Sequence, residues 1–335
     1  MPVLLLVSGN GRKRGVDVTY PFVAISMKKR LSIIIPCYNE EKTIIPFLKA
    51  AQATERNMSD DLVFNYCFIN DGSKDNTLQL LRHLSTEFTN VHYISFSRNF
   101  GKEAALLAGL EASVGDLVTV MDVDLQDPPE LLETMYTKIK EGYDVVGTRR
   151  ANRKGEPAIR SFFSKSFYWL INKISDTEMV DGTRDFRLMT RQVVNSILEL
   201  GEVNRFSKGL FSWVGYDVTY ISYENRERVA GQTSWSFLKL LRYSIDGFIN
   251  FSEVPLKLAT WAGSIASVFS IFGIAFIIVR RLLFGDAVQG WASTISVILF
   301  IGGLQLLALG IIGNYIAKIF LETKKRPIYI VKEKG

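Results

Sequence analysis

The sequence predicts an α/β fold, a doubly wound parallel sheet followed by two membrane-spanning helices. Three observations support this prediction. Short apolar runs alternate with helical patterns of about 10 to 15 residues along the first part of the chain. Two carboxylates, Asp122 and Asp124, directly follow one of these apolar runs. Two long uncharged stretches lie near the C-terminus, and each is long enough to cross a bilayer.

The composition points to an anionic partner and to a membrane. The 335 residues carry a net charge of +6 and are 47% hydrophobic, with a mean hydropathy of +0.12. Nucleic acid and an anionic membrane surface are the two candidate partners. There is no RNA-recognition motif, zinc finger or basic helix, so no nucleic acid is expected and the membrane is favoured. Cys37 and Cys67 lie in apolar runs without metal-ligand spacing, as expected of buried thiols in a reducing compartment.

The first 26 residues differ in pattern from the rest of the chain. They are expected to be a mostly disordered extension, because a strand begins directly after Met27-Lys28-Lys29-Arg30. The apolar run 3–7 is too short for the core of a signal peptide. A regulatory or targeting arm is the alternative.

The α/β part is expected over residues 27–230. β-branched and aromatic residues bounded by turn residues predict the strands, at 31–36, 62–70, 91–96, 117–121 and 144–148. Amphipathic patterns between them predict the helices, which are expected to end near 54, 88, 113 and 141. Asn39 is the expected N-cap of the first helix. In such a sheet, ligands bind beyond the carboxyl ends of the strands, where Asp71, Asp122 and Asp124 fall.

The segment 117–126 carries the candidate chemistry. In an extended chain, Asp122, Asp124 and Gln126 would share one side, and Val123 and Leu125 would point into the protein. Oxygen ligands on one side suit Mg²⁺ or Mn²⁺, which completes its shell with substrate phosphates. A solvated loop with idle acids is the alternative for a bare Asp-x-Asp. For Asp127, a helix N-cap ahead of Pro128 competes with a catalytic role.

The C-terminal part is expected to be the membrane region. Residues 160–174 and 234–253 mix aromatic and basic residues, typical of amphipathic helices either in a core or on a membrane surface, and the interface helices are assigned to 231–256. Two spans fill 257–320, as the uncharged stretches 258–279 and 287–317 with a short loop at 280–289. Basic residues at both ends place the tail 321–335 and the catalytic part in the cytoplasm.

With these residues assembled, the chain resembles the family-2 glycosyltransferases, which have the GT-A fold with a doubly wound, mixed or parallel sheet. More narrowly, it resembles the polyisoprenyl-phosphate glycosyltransferases, including the bactoprenol glucosyltransferases of O-antigen glucosylation, and it is similar to the dolichyl-phosphate mannose synthases. The shared motifs are Ile-Pro-Cys-Tyr-Asn-Glu-Glu (35–41), Asn-Asp-Gly-Ser-Lys-Asp (70–75), Ser-Arg-Asn-Phe-Gly-Lys-Glu (97–103), Asp-Val-Asp-Leu-Gln-Asp-Pro (122–128), Asp-Phe-Arg-Leu-Met (185–189), Arg-Val-Ala-Gly-Gln-Thr (228–233) and Glu-Thr-Lys-Lys-Arg-Pro-Ile-Tyr (322–329).

The resemblance implies roles for individual residues. The positions expected to bind the nucleotide sugar are Pro36, Tyr38, Glu40, Asp71, Asp122, Asp124 and Arg228. Asp122, Asp124 and Gln126 are expected to hold the metal, and Asp122, Asp124 and Arg228 to carry the catalysis. Arg149, Arg160 and Ser164 match the positions that bind the lipid phosphate. Relatives usually have Val-Gly before Asp185, whereas this chain has Thr183-Arg184.

The implied reaction moves a sugar, glucose from UDP-glucose, to undecaprenyl phosphate at a bacterial inner membrane, for O-antigen or other cell-envelope glycans. The resemblance also suggests a homo-oligomer, a tetramer. Other sugars remain open, among them mannose, a modified arabinose and an N-acetylhexosamine. A processive polysaccharide synthase is disfavoured because a Gln-x-x-Arg-Trp motif is absent. A membrane scaffold would be expected to lose the acids, and a flippase to carry polar residues in its spans.

Overall fold

The computed structural model describes residues 28–150, 172–173, 180, 182–224, 254–284 and 290–335. The strands are β1 (Lys29–Cys37), β2 (Leu62–Asn70), β3 (Val91–Phe96), β4 (Leu117–Val120), β5 (Val145–Arg150), β6 (Thr183–Thr190), β7 (Val218–Tyr223) and β8 (Val331–Lys334). The helices are α1 (Ile44–Met58), α2 (Thr77–Glu87), α3 (Lys102–Ala112), α4 (Leu131–Lys140), α5 (Arg191–Glu199), α6 (Ser207–Trp213), α7 (Val254–Phe284) and α8 (Trp291–Thr323).

These strands form one mixed sheet in the order β7-β5-β6-β4-β1-β2-β3-β8. β4, β1, β2 and β3 run parallel, as the alternation of strands and helices predicted. β6 then pairs antiparallel with both β4 and β5, and β8 pairs antiparallel with β3. The α/β class is therefore confirmed, and of the two expected arrangements, mixed or parallel, the sheet is mixed, because β6 lies antiparallel between β4 and β5.

Two hydrophobic clusters cover the two faces of the sheet. On one face, α1, α2 and α4 pack residues such as Phe47, Leu81 and Leu132 against the strands. On the other, α3 and α5 supply residues such as Leu106 and Val193. The central strands are buried on both faces, which explains why they appear in the sequence as continuous apolar runs.

The C-terminal helices α7 and α8 are long and apolar. The segments Val254–Gly273 and Phe300–Thr323 are long and apolar enough to cross a membrane, and none of these windows is buried inside the protein. Large apolar side chains such as Trp261, Phe272 and Leu307 are exposed. This agrees with the two predicted spans. The predicted interface segments at 160–174 and 234–253 lie almost wholly outside the described residues, as does the extension 1–26.

Candidate active site

The candidate site lies where the parallel strands end. β1 pairs in parallel with β2 and β4, so their carboxyl ends share one edge of the sheet. Asp71 follows β2 directly, and Asp122 follows β4 after one intervening residue. Residues 97–102, called the loop 97–102, connect β3 to α3 and include Lys102, the first residue of that helix; they contact both carboxylates. The edge predicted from the sequence is therefore the one at which these groups meet.

Asp71 holds the loop 97–102 in place. Its two carboxylate oxygens accept hydrogen bonds from the backbone N–H groups of Phe100 at 2.6 Å and Gly101 at 2.9 Å. Burial raises the pKa of Asp71, and these two bonds act in the opposite direction. The residue predicted to bind the nucleotide therefore also shapes the loop beside it.

Gly72 permits the close approach of this loop. Its φ of +66° lies in the left-handed region, and a Cβ at this position would lie 2.3 Å from the carbonyl carbon of Arg98. Only a residue without a side chain fits both requirements.

Lys102 bridges two carboxylates from different strands. Its Nζ lies 2.8 Å and 3.0 Å from the two oxygens of Asp122, and 2.5 Å from Oδ2 of Asp185 on β6. Although burial acts to lower it, the pKa of Lys102 is raised by these two carboxylates, so the side chain is charged at neutral pH. Burial acts to raise the pKa of Asp185, but Lys102, Lys208 and Arg187 together lower it. The three groups form a charged bridge across the end of the sheet.

The segment Asp122–Asp127 is a turn rather than an extended chain. β4 ends at Val120, and Leu125 adopts a φ of +58°. Oδ1 of Asp124 accepts a hydrogen bond from the backbone N–H of Gln126 at 3.1 Å. The extended backbone assumed for Asp122, Asp124 and Gln126 is therefore wrong beyond Met121, although Leu125 packs against the core as expected. The predicted burial of Val123 is confirmed, and Asp122 and Asp124 are half-buried.

Asp127 belongs to this turn and is not a helix cap. It is 2% exposed, whereas α4 begins at Leu131 after Glu130. Its Oδ1 accepts a hydrogen bond from the hydroxyl of Tyr223 and lies 3.5 Å from Nε of Arg184. Burial raises the pKa of Asp127, and Arg184 opposes that rise. The Arg184 that departs from the usual family pattern thus supplies a cation to a buried carboxylate.

Gln126, a predicted metal ligand, also contacts Arg184. Its side-chain carbonyl accepts a hydrogen bond from Nη2 of Arg184 at 3.4 Å. The amide is thereby directed toward β6.

The loop after β1 carries the remaining residues predicted to bind the nucleotide. Pro36 is half-buried within β1, Tyr38 is 43% exposed, and Oε2 of Glu40 accepts from the hydroxyl of Thr43 at 2.6 Å. Asn39 is not the helix N-cap, because α1 begins at Ile44 after Thr43.

Hydrogen bonds join this loop to the one after β2. The backbone N–H groups of Asn39 and Glu40 donate to the hydroxyls of Ser73 and Thr77, and Oδ1 of Asn39 accepts from the N–H of Lys74. The two loops at this edge therefore form one connected wall.

The residues predicted to bind the lipid phosphate are only partly described. Arg149 lies on β5, and its Nε donates to the hydroxyl of Ser222 on β7 at 2.8 Å. Arg160, Ser164 and Arg228 lie outside the described residues. Their predicted roles stay predictions.

The carboxylates present suit a hard divalent cation. Asp122 and Asp124 offer half-buried oxygens at the strand end. Within the described part of the chain, no cluster of three or more His, Cys, Asp or Glu side chains could hold a metal alone. Mg²⁺ is commonly held by one or two carboxylates together with substrate phosphates, so these residues fit it. Lys102 is the competing cation at Asp122.

Sequence reasoning missed several residues of the site. Lys102 and Asp185 were noticed only within longer motifs, and they lie 83 residues apart in the chain. Glu103, also noticed only within a motif, is half-buried and accepts hydrogen bonds from the backbone N–H and the hydroxyl of Ser207 on α6. A signal was present: three charges, Arg184, Asp185 and Arg187, lie close together beside the apolar residues Phe186, Leu188 and Met189.

Comparison with known proteins gives consistent matches. The protein family described as "Glycosyl transferase family 2" matches residues 32–198. The chain is 47% identical to "Putative glycosyltransferase CsbB" of Bacillus subtilis (strain 168), covering 90% of this chain and 91% of the relative. It is 40% identical to "Prophage bactoprenol glucosyl transferase homolog" of Escherichia coli (strain K12), covering 90% and 98%. It is also 40% identical to "Bactoprenol glucosyl transferase" of Shigella phage SfX, covering 91% and 99%.

Proposed function

Because this chain belongs to glycosyl transferase family 2, we propose that it transfers glucose from UDP-glucose to undecaprenyl phosphate. Relatives named bactoprenol glucosyl transferase, matched over nine-tenths of this chain, support a polyprenyl-phosphate acceptor and a glucosyl donor. The observation that carries the proposal is the meeting of Asp122, Lys102 and Asp185 at the carboxyl edge of the sheet, with Asp124 in the adjoining turn.

The donor would be bound between the joined loops and the turn after β4. The wall formed by residues 38–40 and 71–77 gives a rigid surface for the base and ribose, beside Pro36, Tyr38, Glu40 and Asp71. When bound, Mg²⁺ or Mn²⁺ held by Asp122 and Asp124 would neutralise charge on the departing nucleoside diphosphate. Arg228 would add a second positive charge to the same diphosphate. Lys102 keeps Asp122 oriented, and Asp71 fixes the adjoining loop.

The acceptor needs positioning more than it needs a base. A phosphate monoester has a second pKa of about 6 and is therefore largely dianionic at neutral pH. Arg149, Arg160 and Ser164 would hold this phosphate near the sugar, and such orientation accounts for much of the rate acceleration in transfers of this kind. Attack on the face opposite the leaving group would invert the anomeric carbon and give a β-linked lipid.

The acceptor also explains the apolar helices. We place α7 and α8 across the bacterial plasma membrane, with the catalytic domain in the cytoplasm, where nucleotide sugars are made. The lipid-linked sugar would serve O-antigen or other cell-envelope glycans. Self-association, as a tetramer, is part of the same proposal.

Comparing several nucleotide-sugar donors tests the proposed transfer of glucose to undecaprenyl phosphate. Full-length protein in lipid nanodiscs is incubated with undecaprenyl phosphate, Mg²⁺ and one radiolabelled donor at a time: UDP-glucose, UDP-N-acetylglucosamine or GDP-mannose. Label should pass into the organic phase with UDP-glucose, and Asp124→Asn should reduce kcat by about 10²-fold or more. Glu87→Gln, a substitution on an exposed helix face, should leave turnover unchanged.

Three other results of this assay would change the proposal. Transfer from another donor alone would replace glucose by that sugar. A ladder of longer products would indicate a processive synthase. Label entering the lipid phase equally well with Asp124→Asn and EDTA would remove the metal site from the proposal.

A further inference from the structure

The residues after the second apolar helix fold back onto the catalytic sheet. We call residues 324–335 the C-terminal segment. Its strand β8 pairs antiparallel with β3, and the backbone groups of Gly335 and Tyr93 bond to each other at 2.8 and 3.0 Å. Arg82 on α2 binds Glu333 through two hydrogen bonds, of 2.8 and 2.6 Å. The last residues of the segment expected to be a cytoplasmic basic tail therefore form an edge strand of the sheet.

One side chain of this segment reaches toward the active site. The ring of Tyr329 stacks on that of Phe96, the last residue of β3, with centroids 4.8 Å apart and planes inclined by 20°. The Tyr329 hydroxyl donates to Glu111 on α3. Phe96 in turn packs edge-on against Phe100, at 5.8 Å and 88°. Tyr329 thus supports an aromatic column that ends in the loop 97–102.

The far end of this column is the part of the loop that Asp71 binds. The N–H of Phe100 donates to Asp71 at 2.6 Å, and that of Gly101 donates at 2.9 Å. Lys102, the next residue, contacts Asp122 and Asp185. Any shift of the Phe100 ring would therefore move the groups beside the proposed donor pocket.

A second contact joins the membrane helix to the same region. The carboxylate of Glu322, near the end of α8, accepts hydrogen bonds from the backbone N–H groups of Val203 and Asn204, at 3.0 to 3.1 Å. These residues lead into α6, where Ser207 bonds to Glu103 beside Lys102. The contact of Glu322 in α8 and the stacking of Tyr329 after α8 therefore both lead to residues at the start of α3.

We propose that Tyr329 is a positioning residue, which holds the loop 97–102 in the shape required for nucleotide-sugar binding. The donor pocket is then complete only when the C-terminal segment is docked on β3, so the membrane anchor and the donor site are coupled. The identity of the ligand rests on the proposed function, whereas the ordering of the loop does not.

Hydrogen–deuterium exchange on the full-length protein in detergent micelles tests the ordering without any substrate. In Tyr329→Ala, peptides covering residues 97–102 should exchange about 3- to 10-fold faster, because one aromatic contact is lost. Peptides from β1 and β2 should be unchanged. Tyr329→Phe keeps the stacked ring and should restore slow exchange. Ile330→Ala, an exposed neighbour that keeps its backbone bond to Ser97, is the matched control.

Two exchange results would overturn the proposal. Unchanged protection of 97–102 in Tyr329→Ala would show that the column does not hold the loop. An equal increase in exchange rate for the peptides of every strand in Tyr329→Ala would show that Tyr329 only stabilises the fold.

UDP binding, measured by calorimetry on the same variants, tests the link to the donor. Tyr329→Ala should bind UDP about 3- to 10-fold more weakly, and Tyr329→Phe should bind like the wild type. Equal affinity in Tyr329→Ala and the wild type would refute the coupling. If the wild type binds no UDP while the exchange result holds, the donor assignment fails and the positioning role stands.

Discussion

The ammonium of Lys102 contacts two carboxylates, Asp122 at 2.8 Å and Asp185 at 2.5 Å. It contacts both carboxylate oxygens of Asp122, which we propose as one of the two carboxylates that hold the divalent ion. An ammonium and a metal sharing one carboxylate repel each other, so Lys102 opposes binding of metal alone and leaves the substrate diphosphate to complete the ligand set.

Replacing Lys102 with Gln should therefore tighten metal binding while lowering turnover. Without the competing charge, Mn²⁺ should bind the substrate-free protein about 3- to 30-fold more tightly, as measured by calorimetry. Lys49→Gln removes the same charge from an exposed site on α1 and should leave the affinity unchanged. If Lys102→Gln binds Mn²⁺ no better than the wild type, the ammonium does not compete for Asp122.

Glu103, the next residue, leads to a pH-dependent expectation. Burial raises the pKa of Glu103, although hydrogen bonds from Ser207 oppose the rise. The folded protein therefore resists ionisation of this carboxyl more than the unfolded chain does. Its contribution to stability is full below the unfolded pKa of about 4.3 and is lost as the pH rises through the raised folded value.

Glu103→Gln cannot ionise and should escape that loss. The difference in Tm, variant minus wild type, should increase as the pH rises from 4 toward neutrality, measured by intrinsic fluorescence in detergent. If the difference in Tm between Glu103→Gln and the wild type did not change with pH, the carboxyl would be no harder to ionise in the folded state than in the unfolded chain.

At the scale of elements, the loops after β2 and β3 depend on a single glycine. Gly72→Ala combines a left-handed φ of +66° with a Cβ that would lie 2.3 Å from the backbone of Arg98. Strain of the backbone alone costs about 1–3 kcal/mol, and the clash must add to it.

Gly142→Ala separates these two effects. Gly142 has a φ of +112° but nothing within 4 Å of its would-be Cβ. Gly72→Ala should therefore lower the free energy of unfolding by more than Gly142→Ala, and it alone should weaken UDP binding. If a denaturant titration gave both variants the same loss in free energy of unfolding, and Gly72→Ala bound UDP like the wild type, the two loops would not constrain each other.

Elements differ in how clearly the sequence predicted them. β1 and β4 were found because strands buried on both faces have continuous apolar runs. β2 and β3 were found because they are rich in β-branched and aromatic residues and are bounded by turn residues. β6 was missed because the charged residues Arg184, Asp185 and Arg187 break its apolar pattern. β8 was missed because a charged, exposed sequence is typical of an edge strand and also of a free tail.

In the candidate site, too, some features could be predicted from the sequence and others could not. Asp71, Asp122 and Asp124 could be placed because the ends of parallel strands meet at one edge. The bridge from Lys102 to Asp185 and the pairing of Asp127 with Arg184 could not, because each joins residues that only the strand order brings together. Pattern reasoning locates a strand end, whereas the contacts made there depend on the topology of the whole sheet.

For the whole molecule, the pairing of β8 with β3 constrains how the chain can sit in a membrane. α7 follows the catalytic domain, and β8, which follows α8, returns to the same sheet. The domain and the end of α8 must therefore lie on one side of the bilayer. Either α7 and α8 each cross it once, which returns the chain to its starting side, or neither crosses it. The shared side follows from strand pairing alone, and it agrees with the placement of both ends on one side that the distribution of Lys and Arg predicts.

Reporter fusions in bacterial cells distinguish the two possibilities. Alkaline phosphatase, which is active only outside the cytoplasm, should be active when inserted between residues 285 and 289. Green fluorescent protein fused before residue 28 should fluoresce, because residue 28 directly precedes β1 and therefore lies with the sheet on the cytoplasmic side of the membrane. An inactive phosphatase together with a fluorescent fusion would mean that α7 and α8 do not cross the membrane. Their exposed side chains, such as Phe272 and Leu307, would then need to be covered by another protein surface.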